Sequence, residues 1–152
     1  MNHFRKALVV RAMLVATIVL SGCTSAIQID LTGIWEGTLT WTSGTATGLN
    51  SLIRLDLTQD GSELSGTVTL MGHGSQTFEI DITSGRAKSG TLTLEASGVN
   101  DLVTPAVPVS LSLEADYDET QMSGHGTQTI DEGTTYTIDW EATLIWSPTP
   151  DE

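Results

Sequence analysis

From Leu31 to Trp146 apolar and polar residues alternate with a period of two, and the three-to-four spacing of a helix hardly occurs. Threonine and valine are abundant, and Gly, Asp and Ser interrupt the alternation at short intervals. The pattern predicts eight strands, near 33–43, 50–59, 63–72, 75–83, 87–97, 106–117, 120–130 and 134–146. Alternation also assigns faces. In the first strand Trp35, Gly37, Leu39 and Trp41 share one side, and Glu36, Thr38 and Thr40 the other. Ile53, Leu55 and Leu57 oppose Arg54 and Asp56, and Phe78, Ile80 and Ile82 oppose Glu79 and Asp81. Val107, Val109, Leu111, Leu113 and Ala115 oppose Ser110, Ser112 and Glu114. The last strand sets Tyr136, Ile138, Trp140, Ala142, Leu144 and Trp146 against Thr137, Asp139, Glu141 and Thr143. Strands with one apolar and one wet face predict an all-β domain, a single antiparallel eight-stranded up-and-down barrel around a core. A β-sandwich is the alternative, because alternation does not distinguish closure from stacking.

Turn chemistry falls at Asp60-Gly61, Gly72-His73-Gly74, Ser84-Gly85 and Asp131-Glu132-Gly133. The longest connection, Gly98 to Pro105, is the expected loop at a barrel mouth. Two internal echoes point to closure. Ser51–Gly66 (SLIRLDLTQDGSELSG) aligns without gaps on Val109–Gly124 (VSLSLEADYDETQMSG), each a strand, a turn opening at aspartate and a strand reaching Ser-Gly. Trp35–Trp41 (WEGTLTW) resembles Trp140–Trp146 (WEATLIW), and these are the first and last strands, neighbours in a closed barrel. Antiparallel pairing of the two predicts Trp35 beside Trp146 at one end and Trp41 beside Trp140 at the other. Gly37, Gly66, Gly124 and Gly126 are expected to make room for these indoles.

The segment before the barrel is different. Met1–Lys6 is polar and basic, Arg11 closes the basic region, and Ala12–Leu20 is uncharged and apolar. That order is the pattern of a secretory signal, and the apolar stretch falls short of the ~18–20 residues of a spanning helix. Leu20-Ser21-Gly22-Cys23 follows and resembles the bacterial lipobox. The resemblance implies cleavage before Cys23 and a lipid on its thiol, a good nucleophile once ionised. Residues 1–22 then read as signal peptide, 23–30 as lipidated tether, 31–147 as barrel domain and 148–152 as tail. Thr24 stands where an inner-membrane retention aspartate would be, which favours the outer membrane if the source has two. The expected location is the cell envelope, anchored to a membrane by lipid.

Charge narrows the partners. All 19 acidic residues lie after Cys23, opposed by Arg54, Arg86 and Lys88, a net charge of −16 with histidine neutral. A polyanion such as nucleic acid is repelled, and anionic headgroups are poor company. Cys23 is the single cysteine, so an internal disulfide and a CxxC site are excluded.

Gly33-Ile34-Trp35 on the first strand resembles the GxW motif of the calycins (lipocalins, fatty-acid-binding proteins and avidins). Asp116-Tyr117, in the turn between the sixth and seventh strands, is similar to part of the lipocalin Thr-Asp-Tyr motif, with Ala115 in place of threonine. The resemblance implies a closed barrel with Trp35 across its closed end. It does not extend to the arginine after the last strand or to the C-terminal helix of lipocalins, so size and strand number are more like avidins or fatty-acid-binding proteins.

Catalytic chemistry finds little to stand on. His73 sits in a Gly-His-Gly turn, His125 falls on the outer face of the seventh strand, and no HxH or HxxxH spacing joins them. No serine lies in a Gly-x-Ser-x-Gly elbow, and Asp116, Asp118 and Glu119 lack calcium-loop spacing. No enzyme activity, metal or cofactor is expected. The leading expectation is a lipid-anchored module that binds a small hydrophobic ligand, with Trp35, Trp41, Tyr136, Trp140 and Trp146 as candidate contacts. The alternative is a structural or protein-interaction lipoprotein with a filled core and an acidic binding surface.

Overall fold

A computed structural model describes residues 28–71 and 75–148. The lipobox-like segment with Cys23 and the expected turn at His73 lie outside them. Eight strands follow in order: β1 (Gly33–Trp41), β2 (Asn50–Asp60), β3 (Glu63–Met71), β4 (Thr77–Lys88), β5 (Thr91–Asn100), β6 (Val107–Tyr117), β7 (Gln121–Ile130) and β8 (Thr134–Trp146). Each pairs antiparallel with the next and β8 pairs with β1, so the sheet closes into an up-and-down barrel. Closure pairs both edges that an open sheet would leave free. The sandwich alternative is thereby excluded.

The core is the inward set that alternation assigned. Trp35, Leu39, Ile53, Leu55, Leu57, Ile80, Leu111, Leu113, Ile138 and Trp140 are all buried. Charged residues occupy the opposite face: Glu36, Arg54, Glu79, Glu95, Glu114, Asp139 and Glu141 are exposed. An apolar inside with a charged outside is the reverse of a membrane-spanning barrel, whose outer band is apolar. The echo between Ser51–Gly66 and Val109–Gly124 also survives in the register. Leu57 opposes Gly66 and Ala115 opposes Gly124, the same offset in both hairpins.

Four local expectations are corrected. Ser84-Gly85 is no turn: β4 runs through it, and the hairpin lies at Ser89-Gly90, whose φ values of 54° and 84° suit a tight two-residue loop. A bulge between Ile82 and Ser84 shifts the alternation by one residue, which turns Gly85 and Ala87 inward. The connection before β6 is consequently shorter than expected, because β5 continues to Asn100.

The tryptophan pairs are displaced as well. Trp35 opposes Leu144, Leu39 opposes Trp140 and Trp41 opposes Ile138, a register two residues away from the symmetric pairing of the echoes. A bulge where Ile34 pairs with Trp146 and Trp35 with Leu144 leaves Ile145 as the extra residue. It rotates Trp146 to the outer face, where it is 55% exposed beside Ile145 at 52%. Trp146 therefore leaves the interior set.

The glycines answer to backbone, not to indoles. A Cβ on Gly37 would collide with the Glu141 carbonyl of β8, and one on Gly66 with the Asp56 carbonyl of β2. Gly66 has φ +133°, open to glycine, at the irregularity where β3 leaves its register with β4. These positions let strands bend sharply enough to close a small barrel.

Candidate functional site

The chain before β1 seals one end. Gln28 Nε2 donates to the carbonyls of Gly61 and Ala87, so the segment crosses from β1 to the β2–β3 turn and β4. Leu31 is fully buried, its N–H donates to Gln59 Oε1 at 2.8 Å, and its carbonyl accepts Trp35 Nε1 at 2.9 Å. Gln28–Asp30, read from sequence as tether, is thus held against the barrel. Trp35 packs behind this plug, and the indole N–H is satisfied without water.

The opposite end carries the β1–β2 connection, the Leu102 loop and the β7–β8 turn. Trp41 is half-buried there, and its Nε1 donates to Gln128 Oε1 at 2.8 Å. Tyr136 is also half-buried, with its ring against Gly44. Leu102 packs onto the core from its loop. Trp140 lies deeper, 3% exposed, with no partner for Nε1 among the described residues. Of the five aromatic candidates, then, Trp41 and Tyr136 share one end and Trp140 lies within the barrel. Trp35 belongs to the sealed end, and Trp146 is outside. Sequence reasoning missed Gln128, the buried polar side chain of the described core. The inward run Met122, Gly124, Gly126, Gln128 contained the signal, since alternation leaves no outward choice for residue 128.

Open clefts lie on the outer surface. An open cleft of about 620 Å³ runs over β7, β8 and β1, bordered by Asp116, Asp118, Gln121, Ser123, Glu141 and Thr143. Another, of about 590 Å³, lies over β1–β4 between Leu52, Arg54, Thr69, Met71 and Thr77. Arg54 is paired with Glu36 at 2.9 Å, and Arg86 with Glu63 at 2.8 Å, both exposed. His125 is on the outer face as expected, 3.9 Å from Glu114. Among the described residues no three His, Cys, Asp or Glu side chains converge as a metal site, and no helix is long and apolar enough to cross a membrane.

One titration is coupled to the fold. Asp118 Oδ1 accepts the N–H groups of Thr120 and Gln121, both at 2.8 Å, in the β6–β7 turn. These backbone donors, Thr120 first, hold the carboxyl below its ordinary value of 3.8, with a further bond from the Thr120 hydroxyl. A depressed folded pKa contributes stability above the unfolded value, and loses it as pH falls through the folded one. The stability difference between the protein and Asp118→Ala is therefore expected to be full at pH 7 and to shrink below about pH 3.8. Urea titrations at pH 7, 4 and 3 measure it, and a difference independent of pH would contradict the assignment.

Because consecutive strands are neighbours, sequence blocks map onto sectors of the wall. Residues 91–146, which form β5–β8, contain ten acidic residues and no lysine or arginine. The three cations of the described residues, Arg54, Arg86 and Lys88, lie on β2 and β4. One side of the barrel is thus uniformly acidic and the other is mixed. Neither a protein-family model nor a curated protein matches this chain.

Proposed function

We propose that this protein is exported, cut before Cys23 and anchored by a lipid on that cysteine, and that its barrel works non-catalytically through its outer surface. The partner is a protein surface of positive charge, met by the acidic sector β5–β8. The burial of the inward side chains supports this reading in preference to a small hydrophobic ligand. All eight strands send buried side chains inward, and an eight-stranded barrel is just wide enough for such side chains to fill it. A ligand would have to replace Leu, Ile or Trp contacts that already exclude water. Trp140 Nε1 is one donor in an alkyl setting; a single water meets that need, and it defines no ligand. The calycin resemblance is kept for architecture alone.

Electrostatic attraction would dominate the encounter, so partner binding weakens as added salt shortens the screening length below the ~8 Å of physiological solutions. The test has two parts. Full-length protein extracted from membranes is expected to carry a lipid mass on Cys23, and Cys23→Ser to leave the membrane fraction. Native mass spectrometry of the protein incubated with fatty acids is expected to show no added ligand. A noncovalent adduct that vanishes on denaturation would overturn the filled-barrel reading and restore the ligand.

A further inference from the structure

We infer that the rim where β8 meets β1, with Ile145 and Trp146 at its tip, docks into the headgroup layer of the membrane that carries the Cys23 lipid. The inference rests on the anchored reading above and adds an orientation to it. Three observations converge on the rim.

The first is the exposed apolar pair itself. Trp35 and Trp140 are buried and Trp41 is half-covered, yet Trp146 is 55% exposed and Ile145 beside it 52%. They stand at the last residues of β8, on an outer face otherwise rich in Thr, Glu and Asp. The β8 bulge is what points the indole outward, and Ile34, half-buried, is its cross-strand partner.

The second is where the anchor leaves. The chain is fixed at Gln28 by bonds to Gly61 and Ala87, and again at Leu31, all at the end where β8 finishes. Between Cys23 and Gln28 lie residues 24–27. Five steps of at most ~3.6 Å reach no more than about 18 Å. A lipid seated in the bilayer therefore holds this end of the barrel against the membrane and holds the Gln128 end away.

The third is chemical fit. Indole prefers the membrane–water boundary, where its apolar ring is covered and its N–H stays wet. The nearby carboxylate of Asp56, exposed and cross-strand from Ile34, suits zwitterionic headgroups, whose ammonium groups it can meet, and opposes anionic ones. The occupant is accordingly a neutral phospholipid surface. The acidic sector β5–β8 then faces sideways and outward, free for a partner.

The test uses full-length protein in vesicles of phosphatidylcholine and phosphatidylethanolamine with brominated acyl chains, which quench nearby tryptophan. Subtracting the emission of Trp146→Phe from that of the unaltered protein isolates residue 146. Bromination is expected to quench that difference signal at least twofold. Intact protein mass, measured on the same sample, reports the lipid on Cys23. A lipidated protein whose residue-146 signal is unquenched overturns the docking and leaves the anchor standing. A dimer by sedimentation with residue 146 unquenched overturns it in favour of a second copy as the cover. An unmodified Cys23 overturns both.

Discussion

Trp35→Ala should be the most damaging single truncation in the core, lowering stability by about 3–5 kcal/mol. The indole is fully buried between the barrel floor and the plug formed by Leu31. Removing it loses transfer free energy and leaves a cavity that the two-sided constraint of plug and strands cannot collapse. It also deprives the Leu31 carbonyl of its 2.9 Å donor, a buried acceptor left without a partner. At about 4 °C per kcal/mol for a domain of this size, the midpoint of thermal unfolding falls by roughly 12–20 °C. Urea denaturation checks this through a lower midpoint at unchanged slope. Trp35→Phe fills most of the space and should cost about half as much. A loss below about 1 kcal/mol for Trp35→Ala would mean that the plug contributes little to stability.

Gly37→Val should act on closure instead of packing, with a cost above about 4 kcal/mol. Gly37 opposes Ala142 across the β1–β8 seam, and any Cβ there meets the Glu141 carbonyl and the Ala142 Cα. The strands must separate, and the seam is the junction that joins the first strand to the last. Opening it exposes two unpaired edges, which invite pairing with other chains. The expected signs are faster amide exchange in β1 and β8 ahead of β3–β6, and larger species by size-exclusion chromatography. Gly133→Ala is the control, since a Cβ there meets nothing within 4 Å. It should change stability by no more than about 0.5 kcal/mol.

Both predictions rest on features that differ in how far they could be read from the chain. The plug tryptophan was legible as an inward residue of the first strand, but its partner was not. Leu31 stands at the first residue of the expected barrel domain, beside a segment that reads as tether, and only the fold carries Gln28 across to Gly61 and Ala87. Most interior residues were legible, but Gln128 was missed, since its polarity hid an inward position that strict alternation already implied. The outward turn of Trp146 was not legible, because alternation counts residues and a bulge inserts one without a local marker.

The amino-acid sequence by itself determined the all-β class, the number of strands and the faces of most of them. It did so because side-chain direction along a strand has a period of two, and burial must follow it. It also carried the lipobox pattern and the crowding of acids into residues 91–146. The tertiary structure decided register and bulges, since these depend on how neighbouring backbones meet at Gly37, Gly66 and Ile82–Ser84. It decided as well that the inward side chains are buried and that the acids of the second half form one side of the wall. Those are properties of closure, and closure is a relation between residues more than a hundred positions apart, such as Gly37 and Ala142.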